Sequence, residues 1–72
     1  QEKYDQAIDF YQRSLAIREK FDPFGYAGIA AVLRNIGLAL HEQEKYDKAL
    51  NFYQRALAVQ ENFDAINHVG IV

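Results

Sequence analysis

The sequence predicts an all-α fold of antiparallel helical hairpins, and three observations carry that prediction. The chain repeats itself, its apolar residues recur at three- and four-residue intervals, and short polar turns separate the periodic stretches. The run QEKYDQAIDFYQRSLAIREKF, Gln1 to Phe21, returns as QEKYDKALNFYQRALAVQENF, Gln43 to Phe63, at an offset of 42 with 14 of 21 positions identical. Three of the differences are conservative: Ile8 with Leu50, Ser14 with Ala56, and Ile17 with Val59. The register continues through Asp22 with Asp64, Gly28 with Gly70 and Ile29 with Ile71. A fixed period of this order marks a stacked architecture, in which one unit cannot bury its apolar face alone. In this register residues 1–21 are expected to be the second helix of a partial repeat, 22–63 one complete repeat and 64–72 the start of a third. The chain is then expected to be a piece of a longer array.

The first helical stretch is Tyr4 to Phe21, where Tyr4, Ala7, Ile8, Tyr11 and Leu15 keep helical spacing among good helix formers. Strand alternation fails over the same window, at Ile8 to Tyr11 and again at Leu15 to Ile17. Asp22-Pro23 is expected to close this helix and open the next. Proline disfavours helical conformation in the residue before it, and it fits a first helical turn behind an aspartate cap. The second helix places Ile29, Val32, Leu33, Ile36, Gly37 and Leu40 on one stripe and runs to about Glu42, ahead of the polar HEQEK turn. The third, Tyr46 to about Asn62, repeats the first through Tyr46, Ala49, Leu50, Tyr53, Ala56 and Leu57. Asp64 is expected to play the capping part of Asp22, with Ala65 to Val72 starting a fourth helix. Short connections between such helices force antiparallel neighbours and a stack of hairpins.

Composition narrows the function. A chain of 72 residues is at most one small domain that buries about 60% of its unfolded surface, so its stability is marginal. With no cysteine there is neither a disulfide framework nor a thiolate zinc site. Half of the residues are hydrophobic and a quarter charged, the profile of a soluble globular or helical-repeat protein. A formal net charge of -2 gives no electrostatic footprint for nucleic acid and argues against anionic membrane surfaces. The longest apolar stretch, Gly28 to Leu33, is far short of the ~20 residues that cross a bilayer. No basic-then-apolar signal pattern opens the sequence, and a cytoplasmic location is the expectation.

The stretch Asn35 to Leu57, NIGLALHEQEKYDKALNFYQRAL, resembles the tetratricopeptide repeat. Gly37, Tyr46, Ala49, Tyr53 and Ala56 stand at that family's signature places, with Ile36 at the preceding aliphatic one. Glycine and the alanines belong where helices cross closely, and the tyrosines fill the gaps between hairpins. In the partial copy Tyr4, Ala7 and Tyr11 match, and Ser14 stands in for the second alanine. Leu33 replaces the usual tryptophan, and Glu61 stands where a closing proline is usual. The 42-residue period is similar to the longer repeats of kinesin light chains and of bacterial multi-repeat proteins, whose first helices start in the manner of Gly28-Ile29-Ala30 and Gly70-Ile71-Val72. The resemblance implies a right-handed superhelical α-solenoid whose concave face, lined by first helices, receives peptides or partner proteins without catalysis or cofactor.

On that resemblance the groove-facing residues are those off the apolar stripe of the complete first helix: Ala31, Arg34, Asn35, Leu38, His41 and Glu42. The asparagine in the place of Asn35 hydrogen-bonds a bound peptide in many such repeats, using both donor and acceptor. Arg34 suits a partner's carboxylate. His41 beside Glu42 and Glu44 is no metal site, since HEQEK lacks the second histidine of a zincin and the number of ligands zinc needs. Its place near a helix C-terminus accounts for it better, and His68 is expected to be exposed. Asp9 with Arg13 and Glu44 with Lys48 are four apart, as surface pairs and not catalytic carboxylates. Phe10, Tyr11, Phe52 and Tyr53 recur in the repeat register without the basic setting of a nucleobase platform. Gly28 and Gly70 have no phosphate-loop lysine after them. The other function class left open is self-assembly, as a homo-oligomer through uncapped repeat faces, because arrays need at least about three units and polar caps.

Overall fold

Alanine, leucine, glutamine and arginine dominate the periodic stretches, and in the computed structural model these stretches are helices throughout. The structure describes the backbone of residues 2–71 and the side chains of residues 3–65. Helix α1 spans Glu2–Phe21, α2 spans Tyr26–Glu42 and α3 spans Tyr46–Ile71. The principal extents are 47 × 24 × 12 Å, so the three helices lie side by side in a slab one helix thick. The central α2 packs against both neighbours, while α1 and α3 bring no Cα atoms within 8 Å of each other among the described residues.

The stripe on α2 is buried along its length, Ile29, Val32, Leu33, Ile36 and Leu40 forming a continuous core with Leu15 of α1 and with Ala49 and Ala56 of α3. Ile8 and Tyr11 close over it from one side, and Phe52, Tyr53 and Val59 from the other. Gly37 lies against the Tyr53 ring, and a Cβ there would stand 2.7 Å from Tyr53 Cε1.

Three sequence expectations are corrected. Asp22 does not cap α2, and Pro23 is not in its first turn. The residues Asp22-Pro23-Phe24-Gly25 form a β-turn instead, closed by Gly25 N–H donating to the Asp22 carbonyl at 3.0 Å. Asp at the first, Pro at the second and Gly at the fourth position are what a type I turn prefers, and that preference outweighs the capping option. Gly25 then takes the N-cap position without a side-chain cap, and a side chain on it would collide with the Asp22 carboxylate.

The second correction concerns α3, which runs unbroken through Asp64 and Ala65 to Ile71, where a boundary and a fourth helix were expected. The matching four residues are Asp64-Ala65-Ile66-Asn67, with neither the proline nor the glycine of the earlier turn. Alanine is the best helix former and keeps its N–H, so nothing stops the helix. The Asp64 carboxylate accepts from Gln60 Nε2 at 3.3 Å along the helix instead of capping one. The side chains of His68 and of Gly70-Ile71-Val72 lie outside the described residues.

Third, the stripe expected on α3 does not bury as a unit. Ala49 and Ala56 are buried, whereas Tyr46, Leu50 and Leu57 face solvent. Helix α1 meets α2 through Ile8, Tyr11 and Leu15, and α3 meets the opposite side of α2 through Ala49, Phe52, Ala56 and Val59. A second helix in a stack has two apolar sides, and each copy here has only one of them covered.

The turn between α2 and α3 is closed by Glu44 N–H donating to the His41 carbonyl and Lys45 N–H donating to the Leu40 carbonyl, both at 2.9 Å. This is the Schellman closure, which needs a left-handed residue, and Glu44 takes that role at φ 62°. Left-handed backbone costs a side-chain-bearing residue about 1–2 kcal/mol. Glu44→Gly is expected to raise the unfolding free energy by about 1 kcal/mol, glycine's larger unfolded-state freedom offsetting part of the gain. Urea denaturation measures it, and an unchanged or lower midpoint would contradict the strain.

Candidate functional site

The turn that ends α2 also carries a buried polar group. Gln43 is buried, and its Nε2 donates to Asp5 Oδ1 of α1 at 2.6 Å, tying the hairpin turn to the preceding helix. Its Oε1 is buried without a partner among the described residues. The sequence signal is the shared register of Gln1 with Gln43 and Asp5 with Asp47, which the polarity of HEQEK masks.

With α2 held from both sides, its remaining face is open. Arg34, Asn35, Leu38, His41 and Glu42 are exposed on it, and Ala31 is half-buried. The flanking helices divide these residues. Asn35, Leu38 and Glu42 border a depression of about 360 Å³ whose far wall is Tyr4, Ala7 and Tyr11 of α1. Arg34 borders another, of about 260 Å³, with Tyr53, Ala56, Leu57 and Gln60 of α3. Ala31 lines neither, and the His41 ring packs edge-on against Tyr46 with centroids 5.1 Å apart.

The two depressions differ in charge. A carboxylate stands at the rim of the first and a guanidinium at the rim of the second, each beside an apolar floor of tyrosine and alanine. Among the described residues Asn35 has no side-chain hydrogen bond, which leaves its donor and acceptor for a ligand. The floor residues Tyr4, Ala7, Tyr11 and Tyr53 were assigned to packing alone. The Tyr11 and Tyr53 rings are half-buried and the Tyr4 ring exposed, so each shows part of its surface to a depression, and their recurrence on the second helices was the available signal.

Among the described residues no three His, Cys, Asp or Glu side chains are grouped to hold a metal ion, and no helix is long and apolar enough to cross a membrane. Antiparallel helices in a single layer, with one face of the central helix left open, define a helical-repeat protein. The tetratricopeptide repeat family model matches residues 1–62, and the chain belongs to that family. Repeats of this family generally mediate protein–protein interaction and are typically scaffolds, not enzymes. Comparison with curated proteins and with solved structures returned no match.

Proposed function

We propose that the chain is a non-enzymatic protein-binding module of the cytoplasm that takes an extended peptide segment across the open face of α2. The observation that carries this reading is the pair of apolar-floored depressions on either side of that face. Leu38, 54% exposed at the α2 margin of the first, supplies apolar contact. Asn35 offers a donor and an acceptor to a peptide backbone, and Arg34 a fork for a carboxylate.

Display selection of random peptides on the immobilised chain, followed by titration of a selected peptide, tests it. The double variant Arg34→Ala with Asn35→Ala is expected to weaken binding at least about tenfold, the equivalent of one good polar contact. Both side chains are exposed, so the helical circular dichroism is expected to stay unchanged. Selected peptides that bind the double variant as tightly as the parent chain would sink this site.

A further inference from the structure

Two outer helix faces, one of them meeting the groove only at Leu57, are more apolar than a solvated helix needs. On α1 the outward stripe is Phe10, Ile17 and Phe21, between 59 and 75% exposed, over a depression that Arg13 and Ile17 help to line. On α3 it is Tyr46, Leu50 and Leu57, between 55 and 59% exposed. Both belong to surfaces that pack a helix elsewhere in this chain. Phe52 and Val59, the counterparts of Phe10 and Ile17, lie against the core beside α2, and Leu15, the counterpart of Leu57, is buried there.

Their charges are opposite. Lys3, Arg13 and Lys20 flank the α1 stripe at helical spacing, while Asp47, Glu61 and Asp64 flank the α3 stripe. Arg13 is in part occupied by Asp9, 3.4 Å away, and Lys3 and Lys20 have no salt-bridge partner among the described residues. Pairing α1 with α1 between copies gathers cations, and pairing α3 with α3 gathers carboxylates. Only the mixed pairing brings unlike charges together.

The spacings are also matched in reverse. From Phe10 the α1 stripe steps seven and then four residues, and from Leu57 backwards the α3 stripe steps seven and then four. An antiparallel pairing that sets Phe10 opposite Leu57 therefore sets Ile17 opposite Leu50 and Phe21 opposite Tyr46. The same register sets Lys3 opposite Asp64 and Lys20 opposite Asp47. We propose that copies of this chain associate head to tail, the outer face of α1 in one copy lying antiparallel on the open face of α3 in the next. Such a contact is heterologous and does not close on itself, so it builds open chains and not a dimer. It leaves Asn35, Leu38 and the first depression uncovered, but it covers Leu57, which also lines the second depression beside Arg34, so it competes with a ligand seated there.

Sedimentation of the 72-residue chain over a wide concentration range tests it. The mean mass is expected to climb with concentration past that of a dimer. Raising the salt from about 50 to about 500 mM is expected to weaken the association, because these charges are exposed to screening. The variant Lys3→Glu with Lys20→Glu, and separately Asp47→Lys with Asp64→Lys, are each expected to need at least about tenfold more protein to associate, since each carries like charges on both faces. Mixed one to one, the two variants are expected to regain association, because each then offers the other an opposite face. All four side chains are exposed, and circular dichroism checks that both variants keep their helices. A chain monomeric at every concentration would assign these faces to other occupants, such as the helix of an adjoining repeat or an unrelated protein, and overturn the proposal. So would variants that associate like the parent chain, a closed dimer, or a mixture that stays monomeric.

Discussion

Ile36→Ala is expected to destabilise the chain by about 3–4 kcal/mol, within the range found for removing a fully buried isoleucine side chain. Ile36 is 0% exposed and Leu33 2%, both at the centre of α2. Each is closed in from two sides, because among the described residues α2 is the helix whose backbone closely approaches both of the others. A cavity there collapses only if α1 or α3 shifts, and either shift opens an interface elsewhere. A domain of this size has a total stability of about 4–10 kcal/mol, so the loss takes a large share of it. Since α1 and α3 make no close backbone approach among the described residues and only border a common depression through side chains, losing α2 removes the main support of both and unfolding is expected to remain a single transition. Urea titration should show a much lower midpoint with an unchanged slope. Leu38→Ala on the exposed side of the same helix is the control, expected to change stability by less than about 1 kcal/mol. An Ile36→Ala loss no larger than that of Leu38→Ala would refute the central role of α2.

How far the sequence reveals this molecule depends on whether a signal is local. The stripe on α2 was legible in its large residues, since a helix covered on two sides shows its burial as plain periodicity, while the buried Ala30 and Ala39 beside it were not read from the pattern. The existence of α1 and α3 was legible for the same reason, and the repeat placed them. The connections were less so. Asp22-Pro23 reads equally as a cap with a first-turn proline and as the start of a β-turn, and Gly25 two residues further on decides for the turn. At Asp64 the repeat register suggested a boundary, but register is not chemistry, and alanine in place of proline lets α3 continue. The buried face of α3 was read only in part: Ala49 and Ala56 were placed at the close crossing and are buried, whereas Tyr46, Leu50 and Leu57 of the same stripe are exposed. Nearly the same residues in α1 and α3 meet α2 through different sides, and periodicity reports that a face is apolar without naming its neighbour. The open residues of α2 followed from being off its stripe. Their division into two depressions of unlike charge did not, because the walls come from tyrosines 24 residues or more away or on a different helix.

Gly37→Ala is expected to destabilise, although alanine is the better helix former. In the interior of α2 the exchange alone favours folding by about 0.5–1 kcal/mol. Against this, the new Cβ would stand 2.7 Å from Tyr53 Cε1 and 2.8 Å from Cδ1, far inside van der Waals contact. Both atoms are in the body of the ring, with Ala56 and Ala49 of the same helix buried beside the crossing, so the whole ring must swing toward the depression it lines or α3 must move off α2. Overpacking of this kind costs about 1–3 kcal/mol, which leaves a net loss of roughly 1–2 kcal/mol. The argument predicts a change of sign that a mere intolerance of position 37 does not. In a Tyr53→Ala background the ring is gone, the clash goes with it, and Gly37→Ala is expected to stabilise by about 0.5 kcal/mol or more. A double-mutant cycle by urea denaturation gives a coupling of roughly 2 kcal/mol if the two residues oppose each other as the distances require. Equal losses for Gly37→Ala with and without the tyrosine would mean that the close approach of α2 and α3 is not what the glycine permits.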